Sequence, residues 1–182
     1  MKIKLKNVRL AFPVIWEAKA VQEGDKPNFS AAFLFSPDHP AVADVEKAIE
    51  VLAKEQWADK APTILKQMRA NGRICLQDGD LKNQYAGYEG NLFINARSAT
   101  RPLVVDQQKR ILAASDGIPY AGCYVNATIE LWAQANKYGQ RINASLGGIQ
   151  FLRDGDAFGG GRSANIDDFD DVSEGSDADD LL

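Results

Sequence analysis

The sequence predicts a mainly β protein: a small barrel carrying one helical insertion and followed by an acidic tail. Three observations carry this. Apolar residues recur at every second position over residues 2–12, 91–97 and 123–133, the period of half-buried strands. Only the stretch from about Pro40 to Gly72 shows helical spacing. Finally, residues 165–182 hold eight acidic groups and no basic one. At 182 residues the chain is long enough for one core without a disulfide or metal staple.

In chain order, Lys2, Lys4 and Lys6 share one face of the first strand and Ile3 and Leu5 the other. The apolar set then becomes Val8, Leu10 and Phe12, so a bulge is expected near Lys6-Asn7, and Pro13 is expected to end the strand. A second strand reads from Asn28 to Phe35, with Phe29, Ala31, Phe33 and Phe35 on one face. Asp38 is the expected N-cap of a helix, with Pro40 in its first turn, where a missing N–H costs little. Val42, Val45, Ile49 and Leu52 carry that helix to about Trp57. A shorter helix begins at Pro62, carries Ile64, Leu65 and Met68, and stops at Asn71-Gly72. Asp78-Gly79 and Glu89-Gly90 read as turns. Leu92, Ile94 and Ala96 then alternate with Phe93, Asn95 and Arg97. Cys123, Val125, Ala127, Ile129, Leu131 and Ala133 form the cleanest core face. Asn136–Gln140 is a hairpin turn, and a last strand covers about 141–152, where Gly147-Gly148 marks a bulge or bend. Twisted, bulged strands with one helical insertion favour a barrel over a βαβ sheet.

Composition excludes several functions. Cys75 and Cys123 have no CxxC partner, which argues against a zinc site and for a reducing compartment. The single histidine, His39, is read as a surface residue at a helix start. No apolar run approaches a membrane span, and the Lys-rich N-terminus lacks the apolar stretch of a signal peptide. The nucleophile, zincin, P-loop and dinucleotide motifs are missing, so no enzyme and no cofactor is expected. Asp78-Gly79-Asp80 and Asp154-Gly155-Asp156 could be imagined as Mg²⁺ carboxylates of a nuclease, but Asp-Gly is ordinarily a turn.

Without its acidic tail the chain keeps 21 basic against 17 acidic groups, a body of opposite sign to the whole. Single-stranded nucleic acid is held by cations tracking phosphates, with aromatic rings between them on which bases stack. Lys82, Tyr85, Tyr88, Phe93, Arg97, Arg101, Tyr124, Trp132, Lys137, Tyr138 and Arg141 supply that mixture, with Phe93 and Arg97 on one strand face and Tyr124 and Trp132 on another. Each ring taken alone reads first as packing, because barrels need large side chains at their ends; the shared face of Phe93 and Arg97 opposite an aliphatic one favours a joint role. No basic recognition helix or zinc-finger spacing suggests a duplex reader.

The opening strand running into Asn7-Val8-Arg9-Leu10-Ala11-Phe12-Pro13, the helix after Phe33-Leu34-Phe35-Ser36-Pro37, the segment Gly117-Ile118-Pro119-Tyr120-Ala121-Gly122-Cys123-Tyr124-Val125 and the tail together resemble the single-stranded DNA-binding proteins of tailed bacteriophages. The resemblance implies an OB-fold-like Greek-key barrel that coats single-stranded DNA with little sequence preference during replication, recombination or repair in the host cytoplasm. It also implies a tail that touches replication or recombination partners. The expected organisation is a nucleic-acid-binding body over residues 1–158, a Gly-rich linker over 159–164 and a disordered acidic tail over 165–182. Asp167, Asp168, Phe169, Asp170, Asp171, Asp179, Asp180, Leu181 and Leu182 are the tail residues expected to dock partners. A flexible 18-residue tail spans about 24 Å, enough to reach a groove on its own body and compete there with DNA. A homodimer or cooperative array would extend the few nucleotides one barrel covers. Two rival readings stay open at this level: a protein-interaction adaptor whose tail mimics DNA, and a metal-dependent nuclease.

Overall fold

A computed structural model of the chain describes residues 1–158 and 169–173. The expected linker 159–164 and the tail residues Asp167, Asp168 and Asp179–Leu182 lie outside the described residues. The elements are β1 (Lys2–Lys19), β2 (Asn28–Phe35), α1 (Ala41–Trp57), α2 (Ala61–Ala70), β3 (Leu76–Asp78), β4 (Leu92–Ser98), β5 (Leu103–Val105), β6 (Tyr124–Asn136) and β7 (Gly139–Arg153). Their order in the sheet is β3-β4-β2-β1-β6-β7-β5, and a parallel pairing of Arg97 with Ser145 joins β4 to β7. That contact closes β1, β2, β4, β7 and β6 into a five-stranded, OB-like barrel and removes the free edges of an open sheet.

The inner face is aliphatic, with Leu5, Leu10, Ile94, Val125, Ile129, Leu131 and Ile142 all buried. Val45, Ala48 and Ile49 on one face of α1 join this core, and α1 packs against β1 and β6. α2 begins with Pro62 in its first turn and ends at Asn71 and Gly72, whose φ of 65° suits glycine. The β6–β7 hairpin turns at Lys137-Tyr138 between the paired Asn136 and Gly139. On β7, Gly147 is skipped between the pairs Thr128↔Gly148 and Ile129↔Leu146, the expected bulge.

Two expectations are corrected. Pro13 does not end the first strand. β1 runs on to Lys19 through three irregularities, between Leu5 and Val8, between Ala11 and Val14 and between Val14 and Lys19. Asn7 and Phe12, with φ of 55° and 47°, make the first two bends. Pro13 sits inside the second bulge, where the ladder asks for no N–H. Nor does Asp38 cap α1. The Ala41 N–H donates to His39 Nδ1 at 3.0 Å, and His39 Nε2 lies 2.7 Å from the Lys6 carbonyl. A neutral imidazole with its proton on Nε2 satisfies both contacts and ties the helix start to the first bulge.

A second apolar layer was not expected. Ala11, Ala32, Leu34, Tyr88 and Phe93 form a buried cluster against which Phe158 packs. The segment 79–91 folds over the outer face of β1, β2 and β4, so β2 is covered on both sides. Asp78 and Asp80 hold this cover as turn residues. Asp78 accepts from the Asp80 N–H at 2.9 Å, and Asp80 from the Gly90 N–H at 2.8 Å.

Candidate nucleic-acid interface

The outer face of β4 exposes Asn95 and Arg97 between the buried Ile94 and Ala96, because side chains alternate across a strand. On β7, Arg141, Asn143 and Ser145 alternate in the same way with Ile142, Ala144 and Leu146. Ile74 bridges to Ile142, which brings Arg73 beside the hairpin; a Cβ on Gly139 would stand 2.4 Å from its guanidinium. Arg73, Asn95, Arg97, Arg141, Asn143 and Ser145, with Trp132, Gln77 and Gln134, line a cleft of about 560 Å³ in which no acidic side chain takes part.

The cleft combines cations with a fixed ring. Trp132 is 43% exposed, and its indole N–H donates to the Ser145 hydroxyl at 3.0 Å, which sets the plane of the ring. Asn143 Nδ2 donates to Gln134 Oε1 at 2.8 Å, bracing the two strands beside it. Among the described residues the one ion pair is Arg69 with Glu46, on the helices, so the guanidinium groups of Arg73, Arg97 and Arg141 keep their charge available. Cys75 lines the floor, but burial pushes its thiol up to about 12, which denies it a nucleophile's role.

A second ring group stands further along the same face of β4. Phe12 is 55% and Tyr85 42% exposed, and they meet edge to face at 5.0 Å. The Lys82 ammonium lies 5.1 Å from the Phe93 ring. Phe93, Asn95 and Arg97 occupy alternate positions, so this group sits about 7–14 Å along the strand from Arg97. Lys137 and Tyr138 form the hairpin tip, with the ammonium 5.0 Å from a ring that is 72% exposed. Just past β4, Arg101 lies over Trp16 at 5.6 Å.

Of the expected contact residues, Lys82, Tyr85, Arg97, Trp132, Lys137, Tyr138 and Arg141 therefore stand on or beside one surface. Three do not. Tyr88 and Phe93 are 1% and 0% exposed, because segment 79–91 closes over them, and neither presents a stacking face. Tyr124 lies eight positions from Trp132 on β6, about 27 Å away. Arg153 and Arg9 lie 4.0 and 5.7 Å from its ring. Arg9 also donates to the Gly122 and Asp156 carbonyls and lies 4.2 Å from the Phe158 ring, so this cluster anchors the end of the body. Arg73, Gln77, Asn95, Gln134, Asn143 and Phe12 were missed. Gln134 and Asn143 were open to detection, since folding the sequence about Lys137-Tyr138 sets Gln134 and Asn143 beside Trp132 and Arg141. Within the tail, Phe169, Asp170 and Asp171 are described and exposed. The Ser173 N–H and hydroxyl donate to the Asp171 carboxyl, which lowers its pKa.

The chain matches over residues 1–182 the family model described as Enterobacter phage Enc34, ssDNA-binding protein. It is 43% identical over 176 residues to a protein described as putative protein p50 of Acyrthosiphon pisum secondary endosymbiont phage 1, which covers 95% of each chain. Its structure resembles that of the single-stranded DNA-binding protein from bacteriophage Enc34 in complex with ssDNA. The TM-score is 0.72 and the identity 29%, over 87% of this chain and 89% of that one. A likeness of fold alone extends to gp2.5, a single-stranded DNA-binding protein of bacteriophage T7, with TM-score 0.56 and 15% identity over 96% of both chains.

Proposed function

The chain belongs to the phage Enc34 family of single-stranded DNA-binding proteins, and on that premise we propose that it binds single-stranded DNA through the cleft between β4 and β7. The observation that carries this is the juxtaposition of Arg73, Arg97 and Arg141 with the oriented ring of Trp132 in a concavity without acidic lining. Phosphates meet the guanidinium groups and a base stacks on the indole. The strand continues past Asn95 towards Lys82, Tyr85 and Phe12, and the other flank is formed by Lys137 and Tyr138. Stacking accepts any base, so recognition carries little sequence preference. The protein's task is to coat and protect the strand during replication, recombination or repair in the host cytoplasm, without catalysis, as single copies, dimers or cooperative arrays.

The acidic tail adds regulation. Asp167, Asp168, Asp170 and Asp171 surround Phe169 with carboxylates, a ring among anions that imitates a nucleotide chain and suits the arginine-lined cleft. The tail competes there with DNA and, once displaced, offers itself to replication or recombination partners.

Titration with oligo(dT) of graded length, read by fluorescence anisotropy of labelled DNA, tests the reading. Saturable binding that far exceeds binding to duplex is expected. No measurable single-strand affinity would overturn it in favour of a protein adaptor. Removal of residues 165–182 should tighten binding at low salt, and an unchanged or weaker affinity would refute competition by the tail.

A further inference from the structure

A second concavity, of about 380 Å³, lies elsewhere on the barrel, where β1, β5, β6 and β7 meet. Its chemistry differs from that of the cleft. Lys4, Lys6 and Lys109 stand at its rim, all exposed, while Leu103, Ala127 and Ile149 contribute to an apolar lining. Leu103 is 57% exposed and Val105 half-buried, whereas Ala127 and Ile149 are buried in the barrel core and only floor the hollow. No aromatic and no acidic side chain lines it, so it offers a polyanion no stacking surface; it offers aliphatic contact ringed by ammonium groups.

We infer that this concavity receives the distal tail residues Asp179-Asp180-Leu181-Leu182. The tail carries two acidic clusters of different apolar character, one around Phe169 and one ending in two leucines. A planar ring suits the guanidinium and indole surfaces of the cleft. Branched aliphatic side chains beside carboxylates suit a hollow lined by Leu103 and Val105 and edged by lysines. Reach is no obstacle. Twenty residues separate Phe158 from Asp179, and that length of chain spans up to about 70 Å, against a body about 30–40 Å across. The departure point is also near. Phe158 lies under Arg9, Arg9 faces Tyr124, and Asn126 in the wall of the concavity is two positions along β6, about 7 Å away. The two clusters thereby divide the work: the proximal one contests the DNA cleft while the distal one holds the tail on the body.

Carbodiimide cross-linking of the full-length chain, mapped by peptide mass spectrometry, tests this. Amide bonds from Asp179 or Asp180 to Lys4, Lys6 or Lys109 should predominate over bonds to Lys47, Lys54 and Lys66 on the helices. Leu181→Ser with Leu182→Ser should lower their yield by about fivefold or more, with the circular dichroism spectrum unchanged. Saturating oligo(dT) should leave them in place. Bonds spread evenly over the lysines, or formed chiefly with Lys82 or Lys137, would overturn the inference. Loss of the bonds on adding oligo(dT) would assign the concavity to nucleic acid and overturn it equally. The proposed DNA cleft is read separately by anisotropy, so one can fail while the other stands.

Discussion

Replacing Arg97 and Arg141 together by alanine isolates the electrostatic part of binding. Both side chains are exposed and neither takes part in an ion pair among the described residues. The double variant should therefore fold with a stability change near the surface-substitution range of about 0.5 kcal/mol per site. Each phosphate contact on a single strand contributes about −0.7 to the slope of log K against log salt. Two lost contacts should make the slope shallower by about 1.4, and at 0.1 M salt this corresponds to about 25-fold weaker binding, converging with the native protein towards 1 M. Anisotropy of a labelled oligo(dT) over a salt series reads both quantities without relying on the nearby Trp132. Two parallel lines, with the same loss at every salt concentration, would show that the substitutions had damaged the site's shape. No loss at all would place the DNA elsewhere. Lysine at both positions should restore most of the slope while recovering less of the affinity, because the planar fork is lost.

Trp132→Ala should weaken single-strand binding by about 1–3 kcal/mol at all salt concentrations, and Trp132→Phe should recover part of this; a loss that shrinks as salt rises would argue for a charge effect instead. Gly79→Ala should lower the melting temperature by about 5–10 °C, since a Cβ there would stand 1.9 Å from the Tyr88 carbonyl oxygen; an unchanged value would mean that segment 79–91 is not a packed cover. Burial raises the thiols of Cys75 and Cys123 to about 12 and about 11, so Ellman's reagent at pH 8 should find no fast thiol in the native protein and two in denaturant. The same shifts set a sign for alkaline stability. The unfolded thiols ionise from an ordinary value of 9.0, so the native state keeps its protons longer and loses stability as pH rises above about 9. Denaturant midpoints that rise between pH 9 and 11 would contradict this.

Most of the barrel was legible because its strands have one buried face. The alternation in β6 and in β4, the bulge at Lys6-Asn7 and the glycine bulge in β7 all follow from a period of two and its interruptions. What the period does not reveal is whether the outer face is open. Phe93 reads as solvent-facing because it lies opposite Leu92 and Ile94, and only the fold of segment 79–91 shows that Tyr88 closes over it. That segment has the Gly, Asp and Asn composition of an exposed loop, which concealed its one core ring, Tyr88. Tyr124 and Trp132 share a face, yet face identity says nothing about separation along the strand. Arg73 was illegible for a different reason: its place depends on a parallel bridge from Ile74 to Ile142, a long-range contact without local signature. Pro13 misled because a bulge supplies the one strand environment that tolerates it.

The double cover of β2 has a consequence for how this chain must be made. Asn28–Phe35 contains neither proline, glycine nor a charged side chain, a composition suited to stacking against copies of itself. Its two edges are taken by β1 and β4, and β4 emerges from synthesis only after the helices. Until then the segment is a self-association hazard, so chains truncated before β4 should aggregate while the complete barrel stays dispersed.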